Sequence, residues 1–242
     1  KQSVCNAIMA LVSNGDEVII PAPYWVSYPQ MVLMADGTPV FVEAKIEADF
    51  KITPEQLEAT ITDKTKMLIL CSPCNPTGSV YTQKEMEGLA EVLRKYQNVY
   101  VICDEIYEHI NYTGEHASLA SCEGMKERCI IVNGVSKAYA MTGWRIGYIA
   151  APIEIAKACN KLQGQYTSGP CSVSQIAAVE AYNASQDCVE EMRKAFERRK
   201  NLIVKLCKEI PGFEVNDPKG AFYLFTKCSY YFGKTDGKRV IN

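Results

Sequence analysis

Apolar positions along this chain switch repeatedly between two periods. Ser3–Ser13 shows helical apolar spacing and is stopped by Asn14-Gly15. Glu17–Ala22 (EVIIPA) is a short β-branched run, which predicts a buried strand. A Pro-Tyr-Trp loop follows, then helical spacing over about Ser27–Ala35 and a strand over Thr38–Ala44. Thr53-Pro54-Glu55-Gln56 and Thr82-Gln83-Lys84-Glu85 each set a hydroxyl cap three residues before a Gln or Glu, the mark of a helix start. The second of these helices should run to about Tyr96. Between them Lys66–Ser72 predicts a strand, broken by Pro73 and Pro76. Val99–Ile106, Cys129–Ser136 and Arg145–Ala151 predict three more strands.

After Pro152 the pattern changes. Ile153–Leu162, Ser172–Ala184 and Cys188–Ile210 all read as helix, and Gly212–Val215 and Gly220–Cys228 as strands. Strands alternating with helices imply an α/β fold, a three-layer sandwich around a mostly parallel mixed sheet buried on both faces. The expected division is a large unit over 1–185, a long connecting helix over 186–210, and an incomplete start of a small α+β unit over 211–242. The opening KQSVCNAIMAL reads as a helix already under way, so the chain is expected to be a piece of a longer protein.

Composition narrows the function more than the fold. The 242 residues are 48% hydrophobic and 22% charged, with a formal net charge of −2. No basic stripe favours nucleic acid, and no apolar run approaches the length of a membrane span. Eleven cysteines, odd in number and irregular in spacing, read as reduced thiols in a cytoplasmic protein. Cys71 and Cys74 have the spacing of a redox or zinc motif. The chain offers no second such pair, and Pro73 and Pro76 do not suit a redox helix start.

The chemistry gathers where strands end. In an open α/β sheet, ligands bind beyond the carboxyl ends of the strands. Trp25, Asn75, Asp104, Tyr107, Lys137 and Arg145 all follow or close predicted strands. Each has a plain structural reading: an acid capping a helix, a solvated lysine, a core indole. Together they match the needs of pyridoxal phosphate chemistry. A lysine forms a Schiff base with the cofactor aldehyde, and a carboxylate faces the pyridine nitrogen. A phenol and an amide hold the ring's 3′ oxygen. An arginine clamps the phosphate, and an aromatic ring stacks on the pyridine.

Three motifs, NPTG (Asn75–Gly78), DEIYEHI (Asp104–Ile110) and SKAYAMTGWRIGY (Ser136–Tyr148), resemble those of class I aminotransferases of fold type I. The bacterial-type aspartate aminotransferases are the nearest subgroup, and PYWVSYP (Pro23–Pro29) and GAFY (Gly220–Tyr223) fit it too. The resemblance implies pyridoxal 5′-phosphate as cofactor, Lys137 as its Schiff-base lysine and proton carrier, and Asp104 at the pyridine nitrogen. It implies Tyr107 and Asn75 at the 3′ oxygen, Arg145 at the phosphate and Trp25 stacked on the ring. Asn75 and Trp25 would also meet the substrate, and Lys1 would end a phosphate-binding loop at a helix N-terminus. Gly134 stands where many relatives carry a hydroxyl, and Ser136 is the alternative phosphate contact. No metal is implied.

The implied reaction is transfer of an amino group from an L-amino acid, aspartate first, to 2-oxoglutarate. The implied partners are amino and 2-oxo acids and a second subunit in a homodimer, with the Gln165–Pro170 turn a cross-subunit contact. Alternatives on the same fold are an aromatic or alanine aminotransferase, a C–S lyase, and a non-catalytic aminotransferase-like module.

Overall fold

The computed structural model describes residues 1–241, so Asn242, the last residue of the expected small unit, lies outside the described residues. Five parallel strands form the body of one sheet: β1 (Glu17–Ala22), β2 (Thr38–Glu43), β3 (Thr65–Cys71), β4 (Tyr100–Asp104) and β5 (Cys129–Gly134). A sixth, β6 (Gly147–Ala150), lies antiparallel to β5. The order across the sheet is β2-β1-β3-β4-β5-β6. The chain steps from β1 outward to β2 and returns to the other side of β1 at β3. This reversal opens a crevice at the carboxyl ends of the strands.

The inner strands β1, β3, β4 and β5 read as apolar runs because both faces are covered, and side-chain alternation divides each of them between two cores, while the edge strands β2 and β6 are largely exposed. Ile19, Leu68, Leu70, Val101 and Cys103 face one core, closed by Leu57 of α3 (Pro54–Thr60) and by Met86, Leu89 and Leu93 of α4 (Gln83–Lys95). Val18, Ile20, Met67, Ile69, Ile102 and Ile130 face the other. That core is closed by α1 (Gln2–Leu11), α2 (Ser27–Met34) and α5 (Ile153–Tyr166). The result is the expected three-layer sandwich. Both capping boxes form: Thr53 accepts from the Gln56 N–H and Thr82 from the Glu85 N–H, each at 3.3 Å.

Four further elements follow: α6 (Ser172–Asn183), the 22-residue α7 (Asp187–Lys208), and a small antiparallel pair, β7 (Glu214–Val215) and β8 (Thr226–Lys227).

Two expectations need correction. The Val99–Ile106 run leaves the sheet at Asp104, because Glu105 and Ile106 already turn toward Tyr107. Gly220–Cys228 is not one strand; only Thr226–Lys227 is. Residues 219–221 instead pair with loops of the large sheet. The Gly78 carbonyl accepts from the Lys219 and Gly220 N–H groups, each at 2.9 Å, and the Ile110 carbonyl from Ala221 at 2.7 Å. These backbone bonds bend the segment out of strand geometry, and Ala221 adopts φ 55°.

Candidate active site

The crevice at the strand ends is a cavity of about 800 Å³, and all seven residues singled out in the sequence line it: Lys1, Trp25, Asn75, Asp104, Tyr107, Lys137 and Arg145. Ser136 lines it as well. They are delivered by several pieces of local structure.

Asp104 is the last residue of β4 and is 5% exposed. Burial raises its carboxyl above the ordinary acid range, opposed by a hydrogen bond from Tyr28 and, more weakly, by the Ile106 N–H. The Tyr28 hydroxyl donates to Oδ2 at 2.6 Å, whereas the Ile106 N–H reaches Oδ1 only at 3.4 Å. Among the described residues no Lys, Arg or His side chain pairs with this carboxylate. A buried acid in that condition is matched to a cationic ligand group.

Lys137 and Arg145 sit on one excursion of chain between β5 and β6. Its two ends are fastened at Gly134 and Gly147, which are register partners. The pairing is so close that a Cβ on Gly134 would lie 2.7 Å from the Ile146 carbonyl oxygen and 2.8 Å from Gly147 Cα. A hydroxyl-bearing residue at 134 would therefore collide with backbone, which accounts for the glycine. Arg145 is held left-handed, φ 57° and ψ 41°, with Nη1 donating to the Thr142 carbonyl at 2.5 Å. That conformation is costly for a residue with a Cβ and turns the guanidinium into the cavity mouth.

The Lys137 amine is half-buried. Its Nζ lies 5.6 Å from the centre of the Tyr107 ring and 5.5 Å from that of Phe222. Desolvation lowers its pKa; the Asp104 charge opposes this and the Arg145 charge adds to it. The amine is thus biased toward its neutral, nucleophilic form.

Asn75 follows β3 in a turn shaped by Gly78, whose φ of 69° a side chain would strain. Its Nδ2 donates to the Tyr223 hydroxyl at 3.4 Å, and that hydroxyl lies 2.7 Å from the Tyr107 hydroxyl. Trp25 stands edge-on to Tyr28, ring centres 5.4 Å apart, with Lys1 Nζ 5.1 Å from the indole centre. Lys1 is the N-cap of α1, so the amide end of that helix also faces the cavity.

Sequence reasoning missed Tyr28 and Tyr223. Tyr28 follows Trp25 by three residues, so one helical turn brings both to the same wall, a spacing that could have exposed it. Tyr223 carries no such signal, because its place depends on the pairing of residues 219–221 with Gly78 and Ile110.

A family model described as aminotransferase class I and II matches residues 1–236. The chain belongs to the class I and II aminotransferases. Aminotransferases similar to it include a bifunctional aspartate aminotransferase and glutamate/aspartate-prephenate aminotransferase of Petunia hybrida, 51% identical over all of this chain and 52% of the relative. A probable aspartate/prephenate aminotransferase of Rickettsia prowazekii is likewise 51% identical, over all of this chain and 61% of its own length. The chain thus spans between half and two thirds of these curated relatives. The crystal structure of an aspartate aminotransferase from Rhizobium meliloti superposes on 99% of this aminotransferase chain with a TM-score of 0.95 and 45% identity, covering 61% of that structure. The fold expectation therefore holds. No helix among the described residues is long and apolar enough to cross a membrane.

Proposed function

We propose that this chain is the cofactor-binding portion of a pyridoxal 5′-phosphate-dependent aminotransferase that moves the amino group of an L-amino acid, aspartate first, to a 2-oxo acid such as 2-oxoglutarate. The observation that carries this reading is the convergence of Lys137, Asp104, Tyr107, Asn75 and Arg145 on one cavity in a chain of this family. The buried carboxylate of Asp104, which has no side-chain salt bridge among the described residues, supports the fit of a ring with a protonated nitrogen.

When bound, the cofactor supplies an electron sink that makes the substrate α-proton removable. The rest falls to the chain. Asp104 keeps a proton on the ring nitrogen. Arg145, Lys1 and the amide end of α1 hold the phosphate. Tyr107 and Asn75, joined through Tyr223, hold the ring oxygen. Trp25 covers one ring face and, with Asn75, meets the substrate. Lys137 would attach the cofactor and would carry the proton between the substrate α-carbon and the cofactor C4′.

On this reading the large unit spans 1–185, the connecting helix 186–210 and the small unit begins at 211. The active protein is a cytoplasmic homodimer. The names of the Petunia and Rickettsia relatives extend the range of 2-oxo acid acceptors to prephenate.

The test is an absorbance titration of the full-length protein with pyridoxal 5′-phosphate, followed by aspartate. Wild type should take up the cofactor covalently and convert it to the amine form on adding aspartate. Lys137→Ala should bind it only reversibly and lose turnover. No cofactor uptake by wild type, or unchanged turnover in Lys137→Ala, would sink the reading. Conversion by another amino acid but not by aspartate would reassign the donor.

A further inference from the structure

The proposed chemistry leaves one buried polar side chain beside the cavity unused: Asn6 of α1. It is 5% exposed, on a helix whose other buried residues are Val4, Ala7 and Ile8. A buried amide is costly unless its oxygen and its nitrogen are both hydrogen-bonded. Here each has a partner. Asn6 Oδ1 accepts from Gln2 Nε2 at 2.6 Å, and Asn6 Nδ2 donates to Gln163 Oε1 at 2.9 Å. Gln163 Nε2 in turn donates to the Thr167 hydroxyl. These bonds run from the first residue of α1 to the C-cap of α5, and Gln2, Gln163 and Thr167 all line the cavity.

The bonds sit where the aim of α1 is decided. Its first turn, Lys1 to Val4, lines the cavity, and Lys1 makes no side-chain cap. The amide end is therefore open toward the cavity. An anion gains from such an end only within the first turn, so a small slide or roll of the helix matters. Apolar packing does not fix either movement. Val4, Ala7 and Ile8 of α1 share one core with Ile155 and Cys159 of α5, and apolar burial is non-directional. A hydrogen bond has a preferred length and angle. Among the described residues, the other side-chain bond between these helices runs from the Tyr166 hydroxyl to the Met9 sulfur. It is 3.5 Å long and exposed, and neither residue lines the cavity.

We propose that Asn6 is a positioning residue for the phosphate end of the cofactor site. Through Gln163 it locks the open end of α1 against the end of α5. It thereby sets where the first-turn amides and Lys1 meet the phosphate. Asn6 does not line the cavity itself and acts only through the helix that carries it. The inference rests on the pyridoxal 5′-phosphate reading and divides that cofactor in two. The ring and aldehyde are served by Asp104 and Tyr107, at and after the end of β4, and by Lys137 on the excursion between β5 and β6. None of these depends on the aim of α1. Loosening α1 weakens the hold on the phosphate and spares the rest.

The experiment measures the affinity of the full-length apoprotein for pyridoxal 5′-phosphate and, separately, for pyridoxal, which has the ring and aldehyde but no phosphate. Asn6→Leu keeps the volume and removes both bonds. Gln163→Met, at a half-buried position, cuts the same link from the other helix and decides alone if Asn6→Leu does not fold. Each variant should bind pyridoxal 5′-phosphate roughly three- to tenfold more weakly than wild type, the scale of one hydrogen bond. Each should bind pyridoxal as well as wild type does. The double variant should be no weaker than the weaker single one, because both changes cut one link. The proposal is overturned if pyridoxal affinity falls in step with that for pyridoxal 5′-phosphate, as a general loosening of the fold would produce. It is equally overturned if Gln163→Met binds the phosphorylated form as wild type does, or if the two losses add. Failure of the cofactor reading looks different: wild type itself would take up no pyridoxal 5′-phosphate, and the proposal would fall with it.

Discussion

The Tyr28 hydroxyl donates to the Asp104 carboxylate at 2.6 Å, and both residues are buried. The bond ties the start of α2 to the end of β4 and lowers the pKa of a carboxyl that burial raises. Tyr28→Phe keeps the ring and its edge contact with Trp25 but removes the donor. Asp104 should then ionise less readily. A hydrogen bond to a charged group contributes about 1.5–3 kcal/mol, so affinity for pyridoxal 5′-phosphate should fall roughly tenfold or more. Fluorescence titration of the apoprotein measures this; unchanged affinity would remove Tyr28 from the site.

Gly134→Ser tests the pinched pairing below Lys137. The added Cβ would press on the Ile146 carbonyl and on Gly147 Cα, both backbone atoms that cannot rotate away. Overpacking of this kind costs about 1–3 kcal/mol. The expected result is a lower melting temperature together with weaker cofactor retention, since the loop carrying Lys137 and Arg145 starts and ends there. A variant as stable as wild type would mean that the strands part more easily than their register suggests.

Tyr223→Phe removes the hydroxyl that links Asn75 to Tyr107. The ring remains, so folding should be little affected. Loss of one hydrogen-bonding partner, about 0.5–1.5 kcal/mol, should lower kcat several-fold. Steady-state kinetics at saturating substrate distinguish this from a change confined to KM.

His116 gives the protein a pH response away from the cavity. Its Nε2 lies 3.0 Å from Glu105 Oε2, close enough for an ion pair but not aligned as a hydrogen bond. Burial lowers its pKa, and the Glu105 and Glu108 carboxylates outweigh this and raise it above the ordinary 6.5. A raised folded-state pKa means that protonated His116 stabilises the fold. The contribution is complete below the unfolded-state pKa and disappears as pH rises through the folded-state value. The melting temperature of wild type minus that of His116→Asn should be largest in mild acid and shrink through neutrality. A difference independent of pH would dismiss the charge.

The layers were legible because burial leaves a plain record. β1 matches its predicted span Glu17–Ala22 to the residue, both capping boxes formed, and the apolar runs fell on strands covered on both faces. The convergence of Trp25, Asn75, Asp104, Tyr107, Lys137 and Arg145 on one cavity was legible because all follow or close strands, whereas Lys1 was expected there only from the family resemblance. Tyr28 and Tyr223 were missed. Each reads locally as an ordinary aromatic and bonds a partner 76 or 116 positions away, and only Tyr28 carried a local signal, its three-residue spacing from Trp25. The Gly220–Cys228 misreading has the same cause. An aromatic, β-compatible run was claimed by backbone partners in distant loops, which no local period encodes.

The clamp on residues 219–221 has a mechanical meaning. Gly78 grips this segment from the loop after β3, and Ile110 grips it from the loop after β4. One loop carries Asn75 and the other follows Tyr107, so the segment is bolted to the two arms that reach into the cavity. Were the chain beyond Tyr223 to swing, its fulcrum would lie at this bolt rather than along α7. A pull arriving there would reach an amide and a phenol before it reached the core, making the far end of the chain a lever on the chemistry.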